Sequence, residues 1–259
     1  MSANWREVAA ALFPQGHSIT ENADFLSGTA QSGNGPVCVV GTTGHTPLGI
    51  EIALLQAQAI LHTVRQYPRR PILIMVDTQG QRLRHRDEML GINSYMAHLG
   101  KCIELARQRG HRVLGLVYDQ ALSGGFITSG LMADACFALP GATIRVMGLP
   151  AMARITKVPE ERLTALAKSN PVFAPGPENY LRMGGLLSLW DGDLAAHLNA
   201  ALSNNAGDNA ADNTSGSASG NAITRNRDDR AALGAERGGR NWSHRIVQAI
   251  LGDTHVSPP

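Results

Sequence analysis

The sequence predicts an α/β protein, and three observations carry the prediction. Apolar runs without alternation recur along the chain, as strands buried on both faces of a parallel sheet require. Segments with apolar residues at helical spacing lie between those runs. Strand and helix therefore alternate, the order of folds built from right-handed crossovers. With 259 residues, 43% of them hydrophobic, the chain can bury a sizeable core.

In chain order, the turn-rich stretch Gln31–Pro36 precedes the apolar run Val37–Val40, which ends in Gly41-Thr42-Thr43-Gly44-His45. This reads as a strand followed by a loop. Thr46 and Pro47 offer a helix cap and a favoured first helical position, and Leu48, Ile52, Leu55, Ala59 and Ile60 follow at helical spacing. Pro68 and Pro71 end that helix and introduce the buried-type strand Ile72–Val76, which runs out at Asp77-Thr78-Gln79-Gly80. From Asp87 to Arg109, the stripe Met89, Ile92, Met96, Leu99, Ile103 and Ala106 predicts one long amphipathic helix. Asp87 and Glu88 suit its positive start, Arg107 and Arg109 its negative end, and Gly110 its termination. A further strand, Val113–Tyr118, leads through Asp119 and Gln120 into Ala121-Leu122-Ser123-Gly124-Gly125-Phe126, a glycine pair opening a helix of small residues. Two shorter strands, Ala135–Leu139 and Thr143–Met147, flank Pro140-Gly141.

A single domain is expected over residues 1–202. Residues 203–222 contain no Val, Leu, Ile or aromatic side chain, so they cannot offset their ordering entropy and are expected to form a disordered linker. The tail, 223–259, carries Trp242, Ile246, Val247, Ile250 and Leu251 on one helical face, which predicts a docking helix over 241–251.

Composition excludes several function classes. A formal charge of +2 without a Lys/Arg block argues against nucleic-acid partners. No stretch approaches the roughly 20 apolar residues of a membrane helix, and Trp5-Arg6-Glu7 stands where a signal peptide would be apolar, so a cytoplasmic location is expected. Cys38, Cys102 and Cys136 are odd in number and widely spaced, as reduced core thiols are. Nine histidines form no HExxH and pair with no cysteine at ligand spacing, so no metal is assigned. His45, His62, His85, His98 and His111 read as polar or interface residues.

Two strand-to-helix turns can carry chemistry. Gly41-Thr42-Thr43-Gly44 lacks both the Lys-Ser/Thr of a phosphate loop and the third glycine of a dinucleotide fingerprint. It is either a tight loop or a ligand-facing one. Ala121-Leu122-Ser123-Gly124-Gly125 departs by one residue from a serine nucleophile elbow. Such a triad needs an acid and then a histidine downstream, where after Asp191 and Asp193 only His197, His244 and His255 remain. In the alternative reading no side chain acts. The helix-start amides of Gly124, Gly125 and Phe126 face an oxygen that becomes negative, with a second set at Gln79, Gly80 and Gln81. Spacing alone leaves ordinary turns equally open.

Four segments in order resemble the carboxyltransferase branch of the crotonase superfamily: Asp77-Thr78-Gln79-Gly80, Glu88-Met89-Leu90-Gly91-Ile92, Ala121-Leu122-Ser123-Gly124-Gly125, and Ala133-Asp134 through Leu139-Pro140 to Val146-Met147-Gly148. The resemblance covers roughly Val37–Trp190, including the Gly184-Gly185 turn. It implies a crotonase/ClpP-like spiral of ββα units with flanking helices, and a crotonase-like domain over 1–202. Gln79 stands for the usual proline, and Ser123 and Phe126 for the Tyr and Ala that flank the glycine pair in biotin-dependent enzymes. With the opening Gly41-Thr42-Thr43-Gly44-His45-Thr46-Pro47-Leu48-Gly49, the sequence is most similar to malonate decarboxylase gamma subunits.

That resemblance implies a carboxy-lyase half that works with a beta subunit on malonyl-acyl carrier protein, beside an acyl carrier transferase subunit. The thioester arm would be the carrier's phosphoribosyl-dephospho-CoA group, and this chain would hold no cofactor. It also implies that the amides of Gly125 and Phe126 form an oxyanion hole shaped by Gly124, with Gly80 and Gln81 next. Gln79, Ser123, Tyr118 and the Gly41, Thr42, Thr43, Gly44 loop are expected near substrate. A non-catalytic docking subunit and a biotin-dependent carboxyltransferase half remain the alternatives.

Overall fold

The computed structural model describes residues 3–168, 176–203, 230–240 and 242–253. Helix α1 (Trp5–Leu12) is capped by the Asn4 side chain, which accepts from the Arg6 amide. Strands β1 (Thr20–Asn22), β2 (Phe25–Ser32) and β3 (Gly35–Thr42) form an antiparallel meander. After it come α2 (Ile50–Gln66), β4 (Ile72–Thr78), α3 (His85–Met89), α4 (Ile92–Gln108), β5 (Val113–Leu122) and α5 (Ser123–Thr128). Next are β6 (Ala135–Ala138), β7 (Thr143–Arg145), α6 (Leu149–Thr156), α7 (Glu160–Ala167), α8 (Pro177–Arg182), β8 (Ser188–Leu189) and α9 (Leu194–Ser203). Helices α10 (Arg230–Glu236) and α11 (Ser243–Asp253) lie beyond the undescribed 204–229.

The strands form one sheet in the order β1-β2-β3-β4-β5-β6-β8, parallel from β3 onward. The long β5 serves two neighbours. Leu114–Val117 pair with β6, and Gln120–Leu122 pair with β7. Every residue of β4 is buried, as its unbroken apolar run predicts. Alternate residues of β4 and β5 feed two cores. Ile72, Ile74, Val113 and Val117 pack with α2 and α4, whereas Leu73, Met75, Leu116 and Tyr118 pack with α1 and Trp190.

Three expectations are corrected in detail. The helix predicted over Asp87–Arg109 is two helices, because Gly91 takes φ +73° and turns the chain between α3 and α4. The first crossover helix begins at Ile50 behind Gly49, not at Thr46-Pro47. The Thr46 carbonyl is instead held by the Thr78 hydroxyl at 2.7 Å. The strand predicted to reach Met147 stops at Arg145, and α6 starts two residues beyond Met147. Of the expected linker, Ser203 ends α9 and residues 204–222 lie outside the described residues. A helix does occupy Ser243–Asp253, with Ile246, Val247, Ile250 and Leu251 all more than half exposed. Among the described residues no helix is long and apolar enough to cross a membrane. The cysteines are free, and burial pushes the Cys136 thiol up to about 12.

Candidate functional site

Parallel strands β3, β4 and β5 deliver three loops to one edge of the sheet. The loop after β4 is built around Thr78. Its hydroxyl donates to Thr46 O and accepts from the Gly80 amide at 3.0 Å. Gly80, at φ +102°, then presents its carbonyl to the Leu48 amide at 2.7 Å, and Arg82 N–H returns to Leu48 O at 2.8 Å. These two bonds bracket Gln81, so its own N–H points away from Leu48.

The loop after β5 turns at Ser123, whose φ of +54° is uncommon for a side chain with a Cβ, and enters α5 without a side-chain cap. The first-turn amides of Gly124 and Gly125 therefore have no partner within the helix, whereas the Phe126 amide, four residues after the cap Leu122, is the first to bond inside it, against the expectation that it faces a ligand. Glycine brings the two loops together. A Cβ on Gly80 would lie 2.7 Å from Ser123 Cβ and 2.9 Å from Leu122 O, and one on Gly125 would lie 3.0 Å from the Gly80 carbonyl carbon. The position of a Cβ on Gly124 is 3.6 Å from Gln81 Oε1, which places the Gln81 side chain over the start of α5. Its Nε2 reaches Glu88 Oε1 of α3 at 3.3 Å.

The structure thus brings Gly80, Gln81, Ser123, Gly124, Gly125 and Phe126 to one place. Gln79 is exposed beside them, its amide donating to His45 O at 3.3 Å. Tyr118 is placed elsewhere. It is 1% exposed in the core on the α1 side, and its hydroxyl donates to Thr42 O at 2.8 Å, so it braces the end of β3 where contact with substrate was expected. Burial drives its pKa well above the ordinary tyrosine range. Gly41 and Thr42 are likewise buried strand residues. A Cβ on Gly41 would strike Met75 O, and Thr42 is 2% exposed. Of that loop only Thr43, half-buried, and Gly44, exposed at φ +67°, are within reach of a ligand. The serine-triad reading loses a partner, since the His197 ring stacks on Trp190 and its Nε2 meets Asp191 O at 2.9 Å.

A second constellation escaped the sequence. His45 Nε2 lies 3.0 Å from Asp119 Oδ2 and 3.5 Å from Asp77 Oδ1. Its backbone N–H donates to Asp77 Oδ2 at 2.9 Å, with the residue at φ +51°. Burial raises the Asp77 carboxyl above its ordinary range, opposed by that backbone bond. Spacing rules for metal motifs do not reach such a set, because its members come from the loop after β3 and from strands β4 and β5. The positive φ at a histidine inside a loop of glycines leaves no mark in composition.

A parallel-cored α/β spiral with two glycine-backed amide turns at one sheet edge defines a crotonase-type fold of the carboxyltransferase kind. The similarities agree. The family model for the malonate decarboxylase gamma subunit matches residues 43–254, and the chain belongs to that family. A Malonomonas rubra protein, malonyl-S-ACP:biotin-protein carboxyltransferase MADD, is 34% identical over 151 residues, covering 55% of this chain and 52% of that protein. The chain thus matches about half the length of this curated relative. Among solved structures, a Pseudomonas malonate decarboxylase hetero-tetramer in complex with coenzyme A aligns with TM-score 0.72 and 25% identity, over 96% of this chain and 99% of that one. The transcarboxylase 12S core aligns with TM-score 0.62 and 19% identity, over 80% of this chain and 42% of that one, a likeness of fold.

Proposed function

We propose that the chain is the gamma half of a malonate decarboxylase that, joined to a beta subunit, converts malonyl-acyl carrier protein to acetyl-acyl carrier protein and CO2. Its part is to hold the oxygen that becomes negative. When the bond to the leaving carboxylate breaks, its electron pair passes into the thioester and the carbonyl oxygen becomes an enolate. One proton taken up at the α carbon completes the acetyl group. Amides fixed before the reaction stabilise that charge without reorganising, typically worth about 10² to 10³ in rate per donor. Gly125 and Gln81 are the donors, because the Gly80 amide is already taken by Thr78 and the Phe126 amide by the first turn of α5. Gly80 and Gly124 act by letting the loops approach. Gln79, Ser123, Thr43 and Gly44 border the thioester, whose phosphoribosyl-dephospho-CoA arm belongs to the carrier and is loaded by a separate transferase subunit.

The single observation that carries this reading is the contact of the two turns through Gly80 and Gly125, in a chain of this family. Two variants test it in the assembled complex. Gly125→Ala adds a Cβ and keeps the N–H, whereas Gly125→Pro adds the ring and removes the N–H. Turnover of malonyl-carrier should fall about 10² to 10³ further in the proline variant than in the alanine one. Equal turnover in both, with assembly intact, would leave this half a docking subunit only.

The name of the Malonomonas rubra relative favours a second reading, in which the same enolate forms and the carboxyl group passes to biotin. The residues flanking the glycine pair, Ser123 and Phe126, point away from it. Formation of carboxybiotin from malonyl-carrier and added biotin would select the biotin-dependent reaction.

A further inference from the structure

We propose that His45, Asp77 and Asp119 form a binding site for one divalent cation of the zinc class, made of residues other than those of the amide turns it adjoins. The first observation is spacing. Three ligand atoms held roughly 2.0–2.2 Å from a tetrahedral ion are roughly 3.3–3.6 Å apart. His45 Nε2 stands 3.0 Å from Asp119 Oδ2 and 3.5 Å from Asp77 Oδ1, and the three candidate atoms all lie within 4.8 Å of one another.

The second observation is an orphan. The Asp77 side chain is 2% exposed, and its Oδ1, which faces the histidine nitrogen, has no hydrogen-bond partner among the described residues. A buried oxygen left unmatched is costly. The imidazole alone does not resolve this, because Nε2 carries at most one hydrogen and Asp119 Oδ2 is the nearer acceptor. A cation between the three groups satisfies both carboxylates at once.

The outer contacts suit ligation. Asp77 Oδ2 is anchored by the His45 amide at 2.9 Å, and Asp119 Oδ2 accepts from the Ala3 amide at 3.1 Å, so backbone donors orient both carboxylates. One imidazole with two carboxylates matches Zn²⁺, Co²⁺ or Mn²⁺, whereas calcium and magnesium seek six or more oxygens. Two negative charges balance the ion. With the His45 side chain 41% exposed, the remaining coordination positions face solvent. The bound ion would tie the loop after β3 to the ends of β4 and β5.

Full-length chain, free of any histidine tag and stripped with chelator, is titrated with ZnCl₂ and, separately, MnCl₂ by calorimetry. One equivalent should bind, and zinc should bind more tightly than manganese. Asp119→Asn and His45→Ala should each weaken that binding by about a hundredfold or more, and His62→Ala should leave it unchanged. Circular dichroism confirms that each variant is folded, and Asp119→Asn preserves side-chain volume should His45→Ala fail to fold. Absence of a stoichiometric site in the wild-type chain, or equal affinity in the Asp119→Asn variant, overturns the proposal.

Discussion

Single residues here are chosen by how closely two backbones approach. Gly80 and Gly44 both take positive φ, yet their surroundings differ. A Cβ on Gly80 meets Ser123 Cβ at 2.7 Å and Leu122 O at 2.9 Å, whereas one on Gly44 meets only the mobile end of the Asp24 side chain at 3.2 Å. Gly80→Ala is therefore expected to cost about 3 kcal/mol or more, through combined strain and overlap with a backbone atom. Gly44→Ala should cost only about 1 kcal/mol, for its conformation alone. Urea unfolding of the two variants checks this ordering. The glycines at positions 80, 124 and 125 stand out in the sequence. Which of them abuts another strand's turn does not, because that depends on the bulged register that sets Thr78 beside Ala121.

Among elements, the α3–α4 region shows how an apolar stripe misleads. Met89, which starts the expected stripe, is 74% exposed, and Gly91 turns the chain before Ile92 enters the core. Helical spacing continues across the break because α3 adds only one turn, so periodicity does not register the left-handed residue. What secures α3 is charge. Arg84 pairs with the fully buried Asp87 and with Glu51 of α2, and Arg86 pairs with Glu51 as well. The hydrogen bond from Arg86, more than any other contact, holds the Glu51 carboxyl down to about 2. A depressed carboxylate pKa contributes stability that is complete above the unfolded value and is lost as pH falls through the folded one. The stabilisation of wild type over Glu51→Gln should thus be present at pH 6, shrink below about pH 4.5 and vanish near pH 2. Because these side chains are largely exposed, it should amount to about 1 kcal/mol or less and weaken with added salt. Urea midpoints of the pair across pH measure it.

For the whole molecule, the described C-terminal segment is clamped by arginine. Arg237 donates to the carbonyls of Leu181, Leu186 and Leu187 at 2.9–3.0 Å, and Arg240 donates to Met183 O at 2.7 Å. These bonds hold α10 against the turn between α8 and β8, where Gly184 and Gly234 leave room for it. Arg237→Ala should release this segment locally, at a cost of roughly 1.5–3 kcal/mol. Amide hydrogen exchange would then accelerate over 230–253 while β3, β4 and β5 keep their protection. Uniform acceleration through the sheet would show that α10 is part of the central cooperative unit.

Local patterning along the chain determines the α/β class, the buried parallel strands, the glycine-bearing turns that follow them and the apolar tail helix, because side-chain periodicity and turn chemistry act over a few residues. The contact of Gly80 with Gly125, the burial of Tyr118 behind Thr42 and the meeting of His45 with Asp77 and Asp119 arise only when the sheet assembles. Each depends on the register and stacking of strands distant in sequence, and those are settled by packing two cores at once, which no short window of residues contains.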